Sequence, residues 1–149
     1  MAIVIAQSNV VSYQGTHSSN TSVILKNVSS GNSIVVVSMV SVSEANTPVV
    51  SVNDGNQYTD LTPGSLLNDA SNSWLVTDLS ILQSVSQGTH NVVSNIIGSV
   101  DNIGWCVAMD VGGLAGNALD ISVSANNTAT IGPTANPVET AEIAFALIT

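Results

Sequence analysis

Cations are almost missing from this chain: among 149 residues Lys26 is the only lysine and there is no arginine, against ten Asp and Glu and a net charge of −9. Proteins that bind nucleic acid neutralise phosphates with Lys and Arg and so displace counterions. One cation cannot do this, which excludes DNA and RNA as partners, and the same argument excludes an anionic membrane surface. Glutamate is scarce too, at Glu44, Glu139 and Glu142 alone. The long charged side chains that cover the wet face of a helix are therefore lacking, and a helical fold is excluded with them. Cys106 is the single cysteine, so there is no intrachain disulfide. In the apolar run from Ile103 to Met109 it reads as a small buried hydrophobe rather than a nucleophile. No stretch is long and apolar enough to span a membrane. Met1 to Gln7 has no basic region and too short an apolar run for a secretion signal, so synthesis in a host cytoplasm without a signal peptide is expected.

What is present is Val, Ile, Ser, Thr and Asn, with 44% apolar residues overall. That is enough for a packed core, and β-branched residues suit a pleated, half-buried surface. Turn residues punctuate the chain at short intervals. Strands are expected at 2–13, 21–28, 33–42, 49–52, 74–82, 89–97, 103–111, 119–123 and 139–148. Loops or turns are expected at 14–20, 29–32, 53–56, 61–72 and 98–102. The run Ile34-Val35-Val36-Val37 reads as a strand covered on both faces, and Ile103 to Val107 as a second core strand. Asp54-Gly55 signals a two-residue hairpin turn. The segment 74–82 alternates imperfectly, which suggests a bulge. So many short strands require two packed sheets. The expected fold is a single all-β domain over 1–149, a two-sheet sandwich of jelly-roll or immunoglobulin-like type.

Several segments in order carry a resemblance. Gly31-Asn32-Ser33-Ile34-Val35-Val36-Val37 precedes Pro48-Val49-Val50-Ser51-Val52, followed by Asp54-Gly55-Asn56-Gln57-Tyr58-Thr59 and Gly88-Thr89-His90-Asn91-Val92-Val93. Ile103-Gly104-Trp105-Cys106-Val107-Ala108-Met109-Asp110-Val111-Gly112-Gly113 closes the series. Over residues 20–115 the chain resembles β-sandwich domains of phage virion proteins and of bacterial surface proteins. The turn around Asn53-Asp54-Gly55-Asn56 is shorter than in that pattern, and Asp110 stands where an aromatic segment is usual. The resemblance implies a sandwich without a catalytic site, set on the outer surface of a particle or cell. It also implies a homo-oligomer, with a trimer favoured by analogy with capsid decoration proteins, and contact with a major capsid or other virion protein.

No residue set is assigned a catalytic, cofactor or metal role. Asp54, Asn56 and Asp60 are oxygen donors that a calcium ion could use, but turn chemistry alone accounts for Asp54-Gly55-Asn56. His17 and His90 each follow a Gly-Thr pair and read as solvated loop residues, far outweighing a pairing with Cys106. Trp74 and Trp105 read as core anchors rather than sugar platforms. Asn20-Thr21-Ser22, Asn27-Val28-Ser29 and Asn126-Asn127-Thr128 match the glycosylation pattern, as chance alone predicts in so Asn-, Ser- and Thr-rich a chain. Three functions are weighed: a virion structural protein such as a capsid decoration (cement) or head accessory protein, a carbohydrate-binding or adhesin module, and, last, a small hydrolase. The segment 2–13 has no Lys, Asp, Glu or Pro to block an edge, so it is expected to be covered by a neighbouring strand or used as an interface.

Overall fold

The computed structural model of the chain describes residues 3–42, 49–61, 65–68 and 74–114. Seven strands occur there, and no helix: β1 (Val4–Val28), β2 (Ser33–Val42), β3 (Val49–Asn53), β4 (Thr59–Asp60), β5 (Ser65–Asn68), β6 (Trp74–Leu82) and β7 (Gly88–Gly112). All pairings are antiparallel. The expected strands at 119–123 and 139–148 lie outside the described residues.

β1 and β7 are each 25 residues long and run side by side through both layers of the molecule. The first sheet holds residues 4–15 of β1, residues 102–112 of β7, then β2 and β6, with β4 and β5 sharing the far side of β6. The second holds residues 18–28 of β1, residues 88–97 of β7, and β3. The two pack face to face as a β-sandwich. When each half of β1 and β7 is taken as a strand, and β4 with β5 as one, the first of eight segments pairs with the last, the second with the seventh and the third with the sixth. A single bridge joins Asn53 to Gln57, while β4 and β5 pair with β6 rather than with β3. This nested order is that of a jelly roll.

Three expectations change here. Residues 14–20 and 98–102 are not breaks: both strands continue through them, with register shifts at Gly15/His17 and His17/Ser18. Residues rich in Gly, Ser and Asn bend the paired strands from one sheet to the other, because both chains turn together and keep most of their ladder. The segment 61–72, expected as loop, contains β5, which pairs with β6 from Thr77 to Trp74. The bulge expected in 74–82 is absent: β6 pairs with β2 without a shift from Trp74 to Leu82.

The alternation of β2 buries both faces. Ile34 and Val36 join Val23, Leu25, Val28, Val52, Val92, Cys106 and Ala108 in the core between the sheets. Val35 and Val37 point the other way and cluster with Ile81, Met109 and Val111, against which Ile3, Leu61 and Leu114 pack. The expectation of a doubly covered strand at 34–37 is met. The same expectation for 103–107 holds only by halves. Gly104 and Cys106 face inward and are buried, whereas Ile103 and Trp105 face outward and are 48% and 42% exposed. The sheets approach closely where Ser38 and Ser94 meet, their Oγ atoms 3.0 Å apart, and small residues are what fits there. The large members of β7 therefore point out, and Trp105 is not a core anchor.

Candidate functional site

Two regions stand apart from ordinary core and turn. The first lies where the β3–β4 turn and the loop between β6 and β7 meet the second sheet. Gly55 alone in the turn takes a positive φ, +92°, so Asp54-Gly55-Asn56 forms a three-residue connection closed by the Asn53–Gln57 bridge rather than a two-residue type I′ turn. This conformation turns the Asp54 carboxylate inward. Its Oδ1 accepts from the backbone N–H of Asn56 at 3.1 Å and from Asn56 Nδ2 at 2.9 Å. Its Oδ2 lies 2.6 Å from His90 Nδ1.

His90 is buried, not a solvated loop residue. It shares the inward parity of Val92, Ser94 and Ile96 on β7, and that alternation was the available signal. Its Nε2 lies 3.0 Å from the carbonyl oxygen of Ser86. Both ring nitrogens thus face acceptors. An imidazolium has a donor for each, whereas a neutral ring has only one. Burial disfavours the charged ring, but the bonds to Asp54 and Ser86 and the negative charges of Asp54 and Asp110 outweigh it and raise its pKa. For Asp54 burial also opposes charge, yet the bonds from His90 and Asn56 prevail and hold its pKa below the usual carboxylate value. Tyr58 stands beside Asp54; its hydroxyl is buried with no hydrogen-bond partner among the described residues. Burial first, and the Asp54 charge second, push its pKa upward.

The three calcium candidates do not act as a set. Asp54 and Asn56 bond to each other in the turn. Asp60 sits on β4 opposite Ser80, near Asp78. Among the described residues no three His, Cys, Asp or Glu side chains gather closely enough to hold a metal ion. Asp78 is buried on the inner face of β6 and accepts from Ser80 Oγ at 2.8 Å. Burial pushes its pKa up to about 7, against the opposing Ser80 bond, and Asp60 adds to the rise. Asp110 is also buried, with Gln7 Nε2 at 3.2 Å and Asn32 Nδ2 at 2.6 Å as donors. Cys106 lies 3.8 Å from Ser38 Oγ in the core, and burial raises its pKa, as expected of an inert structural thiol. The side chains of His17 and Trp74 lie outside the described residues.

The second region is the open side of the first sheet. Along its outward face Val10 stands opposite Val107, Ser12 opposite Trp105 and Gln14 opposite Ile103, while Met39 of β2 flanks Trp105 from the other side. Val10 is 56% exposed, and with Trp105 and Ile103 it forms an apolar surface beside the edge strand. Val4 and Ile5 are exposed further along the same strand. Sequence reasoning missed this patch because it treated the apolar run of 103–107 as continuous instead of separating its small and large members.

Compared with family models, with curated proteins and with solved structures, the chain matches none.

Proposed function

We propose that this protein is a non-enzymatic virion structural protein, a decoration or head accessory protein on the outside of a phage particle, which binds copies of itself and a shell protein. The observation that carries the reading is the charge-free edge strand of a jelly roll, flanked by exposed Val10, Ile103 and Trp105. Contiguous apolar surface of this kind marks contact with another macromolecule. Jelly rolls serve both capsids and lectins, so the architecture supports the class and the surface supports assembly. The interior polar groups point the same way. Both nitrogens of His90 are engaged, which leaves it no free lone pair for general-base work. The residue-level resemblance over 20–115 adds the particle setting.

The test is proteomic and microscopic. Particles purified from the native source should contain this chain in stoichiometric amount, and antibody-gold against it should decorate their outer surface. Its presence only in cell lysate or envelope fractions, never on particles, would overturn the reading.

Exposure of Trp105 favours a second reading, a carbohydrate-binding or adhesin module, because a solvent-facing indole is a stacking platform for sugars. Quenching or shift of tryptophan fluorescence by oligosaccharides, lost in Trp105→Ser, would favour it.

A further inference from the structure

We infer that the outer edge of residues 4–12 of β1 is a self-recognition surface, on which a second copy of this chain adds its own β1 antiparallel across a two-fold axis. This deepens the self-binding part of the proposed function and rests on that part, but not on the virion setting.

Three observations converge. First, this half of β1 is the terminal strand of the first sheet, and among the described residues nothing pairs with its outer side. The Val10 N–H donates to the side chain of its own neighbour, Asn9 Oδ1 at 2.9 Å. The other half of β1, on the edge of the second sheet, is treated differently. Gln7 clips the backbone of Lys26 with its amide, Nε2 to the carbonyl at 2.7 Å and Oε1 from the N–H at 3.2 Å, and Asn9 Nδ2 reaches the Ile24 carbonyl at 3.3 Å. Side chains of the first half thus occupy backbone groups of the second, whereas among the described residues no strand pairs with the outer side of the first.

Second, the open edge is uncharged. In a chain of net charge −9 the first charged residue is Lys26, and residues 4–12 contain no Pro either. Open edges are ordinarily blocked by charge or proline. Two highly acidic molecules repel each other over most of their surface, and the edge strand is where they can meet without opposed carboxylates. The chemistry therefore fits a second copy of this chain.

Third, the exposed apolar side chains lie in the right place. Antiparallel pairing of two identical edges places the two-fold axis perpendicular to the sheet, an isologous arrangement. Outward faces then remain on the same side. Val10 and Trp105 of one copy come within a strand or two of their counterparts, and the two patches become one. The two-fold contact gives a dimer, not the trimer implied by the resemblance.

Sedimentation velocity over a concentration series tests this with the full chain. The expected result is a reversible monomer–dimer equilibrium. Val10→Asp should weaken it by roughly tenfold or more by placing carboxylates across the junction, and Trp105→Ser should weaken it less. Asn91→Asp, on the opposite outward face, should leave it unchanged. Because the substituted positions are exposed, unchanged circular dichroism and melting temperature of each variant would show that folding is not the cause. A wild-type monomer up to about 100 μM, a trimer, or a Val10→Asp variant that dimerises like wild type would each overturn the inference. Particle association is read separately: a dimer that is absent from particles refutes the virion reading and leaves this one standing.

Discussion

The two sheets meet the outside in opposite ways. Around β2 the first sheet is buried on both faces, with Ile34 and Val36 toward the second sheet and Val35 and Val37 away from it. The second sheet is buried on one face only; its outward side is mostly polar, with Asn20, Ser22, Ser51, Asn53 and Asn91 beside an exposed Ile24, and Ser22 Oγ bonded to Asn91 Oδ1. Both sheets are built from the same Val, Ser and Asn vocabulary. What differs is how many of the residues of opposite parity are apolar. Where many are, the sheet needs a second cover, and among the described residues nothing covers Val10, Ile103 and Trp105.

The largest expected effect probes this asymmetry. Val36→Asp and Val37→Asp should each destabilise by several kcal/mol, since both bury an unpaired charge, one on each side of β2. Asn91→Asp, outward on the second sheet, should stay within about 0.5 kcal/mol. Chemical denaturation measures all three, and a Val37→Asp variant as stable as wild type would remove the claim that the first sheet is doubly covered.

Next comes the polar tie at the end of the second sheet. Asp54→Ala leaves His90 buried without its carboxylate and should cost about 3 kcal/mol at pH 6. The pH dependence has a definite sign. The raised pKa of His90 means its stabilisation is complete below its unfolded value near 6.5 and is lost as pH rises through the folded value. The lowered pKa of Asp54 means its share is present above about 3.9 and is lost as pH falls through the folded value. The pair should therefore stabilise most in mildly acidic solution, and His90→Gln should flatten the alkaline side of the profile.

Asp78 belongs to the first sheet and titrates in the same direction. With its pKa raised to about 7, the folded state favours the neutral acid, and that contribution fades as pH rises through neutrality. Asp78→Asn keeps the acceptor for Ser80 and cannot ionise. Relative to wild type it should gain at least about 1 kcal/mol on going from pH 5 to pH 8, seen as a smaller loss of melting temperature. Equal pH dependence of mutant and wild type would place the ionisation elsewhere. The smallest effect is Tyr58→Phe, which removes a buried hydroxyl without a partner and should be neutral or stabilising by up to about 1 kcal/mol.

Much of this architecture was legible in the sequence. Scarce Lys, Arg and Glu with period-two Val and Ile pointed to strands, and the continuous apolar run 34–37 pointed to a strand buried on both sides. Jelly-roll order was one of two stated options; choosing it required long-range register, which local pattern does not carry. Gly, Ser and Asn mark a bent ladder and a broken one alike, so local pattern predicts loops where β1 and β7 bend. His90 was legible in principle from its parity with Val92, but its partners Asp54 and Ser86 come from other segments, 36 and 4 residues away. Trp105 departs from expectation for a different reason. Hydrophobicity says that a residue tends to be covered, while the small inward neighbours Gly104, Cys106 and Ala108 decide which way it points.

The central claim is that the first half of β1 is an open edge that a second copy closes, and backbone hydrogen exchange read by mass spectrometry at low and high protein concentration addresses it most directly. Peptides from residues 4–12 should exchange about half of their amides fast in dilute solution, those facing away from β7, and gain protection of these on concentration, while the exchange of 20–28 stays independent of concentration. Concentration-independent protection of 4–12, or protection already complete in a dilute monomer, would contradict the account.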